Sequence, residues 1–180
     1  MITGDKRVQA LEVELIRVRH EFEAAMDAVP PEKVHVAPPD RWSPAQILWH
    51  VAKVERGVAR MIEMKSAAIG QMTTVPPGPP VKGIVQLLDK YPFYDRTRKI
   101  TAPEGLAPPA SIDVVIERGR WADGRKQLLA AAYDAGPKLS LVRHDHPAFG
   151  SFDGWQWVLM IARHEERHML QLQEVLASTQ

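Results

Sequence analysis

The chain has 180 residues, 45% of them hydrophobic and 25% charged, with no cysteine and a net charge of +1. That balance describes one globular domain over residues 1–180, able to bury a core without staples. It excludes disulfides, thiolate metal ligands and a cysteine nucleophile, and so neutral a surface carries no footprint for nucleic acid or an acidic membrane. The residues after Met1 run straight into a charged amphipathic pattern, with no signal-peptide core and no apolar run of bilayer length. A cytoplasmic location is the expectation.

Taken in chain order, the first helix is predicted from about Asp5 to Ala28. Val8, Leu11, Leu15, Val18, Phe22 and Met26 recur at spacings of three and four and lay one apolar stripe along it. The second is predicted from Pro44 to about Ala68. Ser43 is a natural N-cap, Pro44 fits the first helical position, and Gln46 completes a capping box. Trp42 and Ile47 are placed to form a hydrophobic staple, and Gly70 to stop the helix.

The segment from Thr73 to Ala110 holds eight of the chain's 15 prolines. It reads as a long connection with one short helix near Gly83 to Lys90, a length that in a compact domain points to a functional segment covering one end of the fold. Its basic run Asp95-Arg96-Thr97-Arg98-Lys99 reads as solvated surface. A third helix is predicted from Ile112 to Ala135, opened by Ser111 and closed by Gly136-Pro137, with a pattern interrupted by Gly119 and Gly124. The fourth is predicted from Gly154 to Ala177, where Asp153 with Gln156 repeats the capping box and Phe152 with Trp157 repeats the staple. No alternating strand stands out. Four amphipathic helices with one long crossover give an all-α helix bundle.

The chemistry lies in the placement of histidines. His164 and His168 are four apart, so they share a face, roughly 6 Å apart along the axis. That face otherwise reads Trp157, Ile161, Gln171 and Val175 and looks inward. A buried imidazole needs polar partners, and two in succession call for a reason. His50, aligned with Ile47, Val54 and Met61 on the second helix, supplies a third ring on an apolar flank. In a bundle, ligands come from inward side chains on facing helices. Three imidazoles would hold a divalent ion and leave positions open for water or substrate. Zinc, nickel, iron, copper and manganese all remain eligible.

His164-Glu165-Glu166-Arg167-His168 also matches the zinc-peptidase pattern H-E-x-x-H. That reading lacks its third ligand. No histidine follows His168, and Glu174, on the same helix, cannot close the same coordination sphere. An upstream substrate-binding strand is also missing.

The stretch Trp42-Ser43-Pro44-Ala45-Gln46-Ile47-Leu48-Trp49-His50 followed by Glu55, and the ending His164-Glu165-Glu166-Arg167-His168 followed by Gln171, resemble the DinB-like superfamily of metal-dependent four-helix-bundle proteins. His146-Pro147-Ala148-Phe149-Gly150 looks like the loop that family carries before its last helix. The resemblance covers nearly the whole chain. It implies an up-down-down-up bundle, a homodimer, and a metal held by residues matching His50, His164 and His168. It also implies relatives that include transferases and isomerases using low-molecular-weight thiols such as mycothiol, bacillithiol or glutathione. The long Pro-rich connection departs from the family's simplest members and is expected to shape the pocket.

Around the three histidines, Glu55 is read as pointing inward, either to orient a ligand histidine or to pair with an arginine such as Arg118. Gln171 is placed to bond a ligand or a water. Glu165 is a base candidate toward bound water, with a solvated role favoured. His144 and His146 are read as loop-shaping, with pocket lining as the alternative, and His20 and His35 as surface. Trp42, Trp49, Trp155 and Trp157 are read as staples and core. The function expected is a metal-dependent transferase, or a hydrolase, activating a thiol or water for attack on a small electrophile. Two other readings are open: a metal- or small-ligand-binding stress protein without activity, and a metal-free bundle that dimerises through a helix face.

Overall fold

The computed structural model describes residues 4–70, 74–97 and 101–178. Four helices dominate it: α1 (Lys6–Asp27), α2 (Pro44–Ile69), α3 (Val114–Ala135) and α4 (Gly154–Ser178). All six stripe residues of α1 are buried, and its N-cap Asp5 accepts from the Arg7 backbone N–H at 2.9 Å. At α2 the capping box is formed in both directions, with Gln46 Oε1 accepting from the Ser43 N–H at 2.9 Å and Ser43 Oγ from the Gln46 N–H at 3.3 Å. Gly70 ends the helix at φ 66°, a left-handed value that a side chain would strain. The same reciprocal pair joins Asp153 and Gln156 at the start of α4, and Phe152 meets Trp157 edge-on at 5.7 Å.

Three expectations need correction. Helix α3 is opened by Asp113, not Ser111; its carboxylate accepts from the Val115 and Ile116 N–H groups, and an acidic cap complements the helix dipole. The short helix expected near Gly83 to Lys90 is a single 3-10 turn, Ile84–Gln86, since Gly83 sits at φ 89° and turns the chain immediately before it. Two strands exist where none was expected. Strand β1 (Arg143–His146) pairs antiparallel with β2 (Gly150–Asp153). Both are four residues long, too short for alternation to be read, and the turn between them ends on Gly150 at φ 79°.

Two apolar clusters fill the interior. One gathers Val8 to Val18 of α1, Val58 to Ile62 of α2, Leu128 to Ala135 of α3 and Trp155 to Ala162 of α4, together with Ile84, Leu88 and Phe93 of the connection. The other gathers Phe22 and Met26 of α1, Ile47 to Ala52 of α2, Trp121 of α3, and Leu172 and Val175 of α4. Helix α2 therefore ends at the first cluster and α3 begins at the second, so the connection between them must travel the length of the bundle.

Side chains of α4 hold that connection down. Arg163 donates to the Val85 carbonyl at 2.7 Å, and Arg167 to the carbonyls of Phe93 and Asp95 at 2.7 and 2.8 Å. The Tyr94 hydroxyl reaches Glu166. Arg96, from the basic run, pairs with Glu174; Arg98, Lys99 and Thr73 lie outside the described residues. Gly154 is required where α4 starts, because a Cβ there would come within 2.9 Å of the Leu139 backbone. Among the described residues, no helix is long and apolar enough to cross a membrane.

Candidate metal centre

Helix α2 brings His50 and helix α4 brings His164 and His168 to one point inside the bundle. The Nε2 atom of His164 lies 3.2 Å from Nε2 of His50 and 3.2 Å from Nε2 of His168. All three ligand atoms fall within 4.8 Å of one another. Nitrogens at about 2.0–2.1 Å from a tetrahedral ion lie about 3.3 Å apart, so the spacing fits a shared divalent ion. His50 and His168 are buried, and His164 is partly so.

The outer ring nitrogens decide the tautomers. His50 Nδ1 lies 2.8 Å from the Leu106 carbonyl, which only accepts, so Nδ1 carries the proton and Nε2 presents a lone pair. His168 Nδ1 lies 2.8 Å from Gln171 Oε1, which sets the same tautomer. Two lone pairs are thus aimed at His164 Nε2, which carries at most one proton. Protonating a ring further is opposed by burial. Desolvation holds His50 below its ordinary value, and His164 and His168 well below, where the neighbouring imidazoles add to the effect. The cluster is therefore neutral and rich in lone pairs, a donor set that could hold a divalent cation. His164 Nδ1 is itself buried without a partner. The other buried side-chain atoms in that position among the described residues, Arg56 Nη1 and Glu117 Oε2, at least face each other at 3.9 Å.

Trp42 is more than a staple. Its ring lies 4.8 Å from that of His50 and nearly parallel to that of His168 at 6.1 Å, walling one side of the cluster. The connection supplies another wall through Leu106, and Gln46 holds the Pro109 carbonyl at 3.3 Å. His146, on β1, packs among Phe93, Phe149, Phe152 and Trp157, and lies near enough to His164 to depress its protonation. Burial lowers its own pKa to about 4. His144 is exposed and offers its carbonyl to Trp157 Nε1; His20 and His35 are exposed. Trp155 is core, its Nε1 donating to Ser140 Oγ, while Trp49 lines an outer groove between α2 and α3.

The two carboxylates singled out beside the histidines face elsewhere. Glu55 points inward, but onto Arg19 and Arg125, each at 2.5 Å; Arg118 instead pairs with Asp27 on the surface. Glu165 is fully buried, not solvated, and accepts from Arg19, Arg125 and Trp121 Nε1. Its oxygens are taken by those donors, and neither carboxylate hydrogen-bonds a cluster histidine. Arg19 and Arg125 were not singled out from the sequence, although a signal existed. Arg19 is four after Leu15 and three before Phe22, and Arg125 is four after Trp121 and three before Leu128, so both sit on apolar stripes.

A solved structure shares this fold. TT2238, described as a four-helix bundle protein, superposes with a TM-score of 0.59 at 18% identity, covering 93% of this chain and 98% of its own. An uncharacterized protein of Bacillus subtilis (strain 168), YuaE, is 26% identical over 148 residues, which are 80% of this chain and 83% of that protein. The sequence model of the DinB superfamily matches residues 14–172, which take in all three histidines, and the chain belongs to that superfamily.

Proposed function

We propose that this protein is a metal-dependent enzyme that activates a low-molecular-weight thiol, or water, for attack on a small electrophile. The observation that supports it most is the meeting of three neutral Nε2 atoms, two of them 3.2 Å from the third and all within 4.8 Å, with at most one proton among them. Three neutral ligands leave a divalent ion's charge intact, and such an ion supplies the Lewis acidity that makes a thiol or water nucleophilic near neutral pH. Zinc, nickel, iron and manganese all suit the donor set in this reading.

The chain's own residues do the rest. Leu106 and Gln171 fix the rings of His50 and His168 so that Nε2 faces inward. Trp42 excludes water on one side, and its flat face suits the apolar part of a substrate. The connection, clamped by Arg163 and Arg167, bounds the approach for a small molecule. A cytoplasmic setting, expected from the sequence, and a second copy of the chain as partner, implied by the family resemblance, belong to the same reading.

Metal analysis of untagged protein, followed by thiol consumption with a panel of electrophiles, tests it. The reading expects stoichiometric metal, lost in His50→Ala, and thiol-dependent turnover lost in His168→Ala. Metal without turnover would leave a metal-binding protein in place of an enzyme. Full turnover by His168→Ala would end the mechanism.

A further inference from the structure

A second polar cluster lies in the bundle beside the histidines, and each helix contributes one member: Arg19 from α1, Glu55 from α2, Arg125 from α3 and Glu165 from α4. None of the four side chains is more than 9% exposed. Arg19 donates to Glu165 at 2.7 and 3.0 Å and to Glu55 at 2.5 Å, and Arg125 donates to Glu55 at 2.5 Å and to Glu165 at 3.0 Å. The remaining nitrogen of each guanidinium, Nη1, donates to backbone, Arg19 to the Trp121 carbonyl and Arg125 to that of Leu15. Trp121 donates to Glu165 and lies 3.8 Å beneath the Arg19 guanidinium. The two positive and two negative groups balance one another, which leaves no net charge to hold an ionic ligand.

Its place relative to the histidines gives it a role. Glu165 follows His164 directly and precedes His168 by three, so it belongs to the same turns of α4. Glu55 follows His50 by five on α2. Apolar side chains tolerate small slips and rotations between helices, whereas planar guanidinium groups that each bridge two buried carboxylates do not. A metal site needs its ligands held to about 0.5 Å.

Resting on the metal reading above, we propose that Arg19, Glu55, Arg125 and Glu165 are positioning residues of the three-histidine site. They fix the rotation of α4 against α1, α2 and α3, and so keep His164 and His168 convergent on His50.

Cobalt(II) titration of metal-free protein tests this, because cobalt absorption reports ligand geometry as well as affinity. Wild type is compared with a charge-free variant, Arg19→Met, Glu55→Leu, Arg125→Met and Glu165→Leu, whose fold is checked by circular dichroism and thermal melting. The inference expects a helical variant that melts no lower than wild type, binds cobalt tenfold or more weakly, and gives an altered spectrum. Wild-type affinity with an unchanged spectrum would overturn it. Should the variant not fold, the pair Arg19→Lys and Arg125→Lys carries the test: it keeps every charge, loses the planar groups that bridge Glu55 and Glu165, and is expected to weaken cobalt several-fold and shift the spectrum. An unchanged titration in that pair would likewise overturn the inference. Failure of wild type itself to bind cobalt would defeat the metal reading and this inference together, a result distinct from equal binding by wild type and variant.

Discussion

The bundle encloses two polar clusters of similar burial and opposite construction. Around Glu55 and Glu165, every charge meets its counter-charge and every guanidinium nitrogen an acceptor. Around His50, His164 and His168, three acceptor nitrogens converge, and one buried ring nitrogen has no partner at all. Closure marks a structural joint; a surplus of inward-facing lone pairs marks a place for a cation. Burial and charge alone would not have separated them, since both consist of ionisable side chains in an apolar setting.

The contrast can be broken by mutation. The largest effect is expected in the charge cluster. Glu55→Ala leaves Arg19 and Arg125 sharing Glu165 alone, with one buried positive charge uncompensated, which should cost about 3–5 kcal/mol of stability in urea unfolding. The corresponding change among the histidines should act in the reverse sense. His164→Leu removes the ring whose buried Nδ1 has no partner, so metal-free protein should melt within a degree or two of wild type or higher, while zinc affinity by competition with a chelator falls more than about 100-fold, beyond the loss typical of an outer partner. Equal destabilisation by the two variants would erase the distinction.

Gln171→Leu sharpens it further. It leaves all three ligands and takes only the hydrogen bond that orients His168, so zinc affinity should fall about tenfold with little change in melting.

The smallest effect concerns His146. Burial lowers its pKa in the folded state to about 4, below the unfolded value near 6.5, so the unfolded chain takes up the proton first. Its contribution is therefore complete above about pH 6.5 and is lost as pH falls toward 4. The ring is partly exposed, which reduces the effect to about 1 kcal/mol. Urea unfolding of wild type and His146→Gln at pH 7 and pH 5 should show wild type losing that much more than the variant on acidification.

What the sequence disclosed follows the same division. The helices were legible because their stripes and both capping boxes are local, written within a few residues of each helix start. The convergence of His50 with the α4 pair was legible because three imidazoles on apolar flanks have no ordinary reason to be there. Glu55 was read as inward and open to an arginine, but the wrong arginine, and Glu165 as solvated, because their partners Arg19 and Arg125 lie 36, 70, 146 and 40 residues away and pairing across a bundle leaves no local trace. The β1–β2 hairpin escaped because four-residue strands are too short to show a period. The role of Leu106 was hidden altogether, since it acts through its backbone carbonyl.

The central claim is that three Nε2 atoms share one ion. A crystal structure of protein purified without an affinity tag, with anomalous data collected across the relevant absorption edges, tests it most directly. The account predicts one strong anomalous peak about 2.0–2.2 Å from Nε2 of His50, His164 and His168. A stoichiometric metal located elsewhere, or a ring of His50 turned away from the α4 pair, would contradict it.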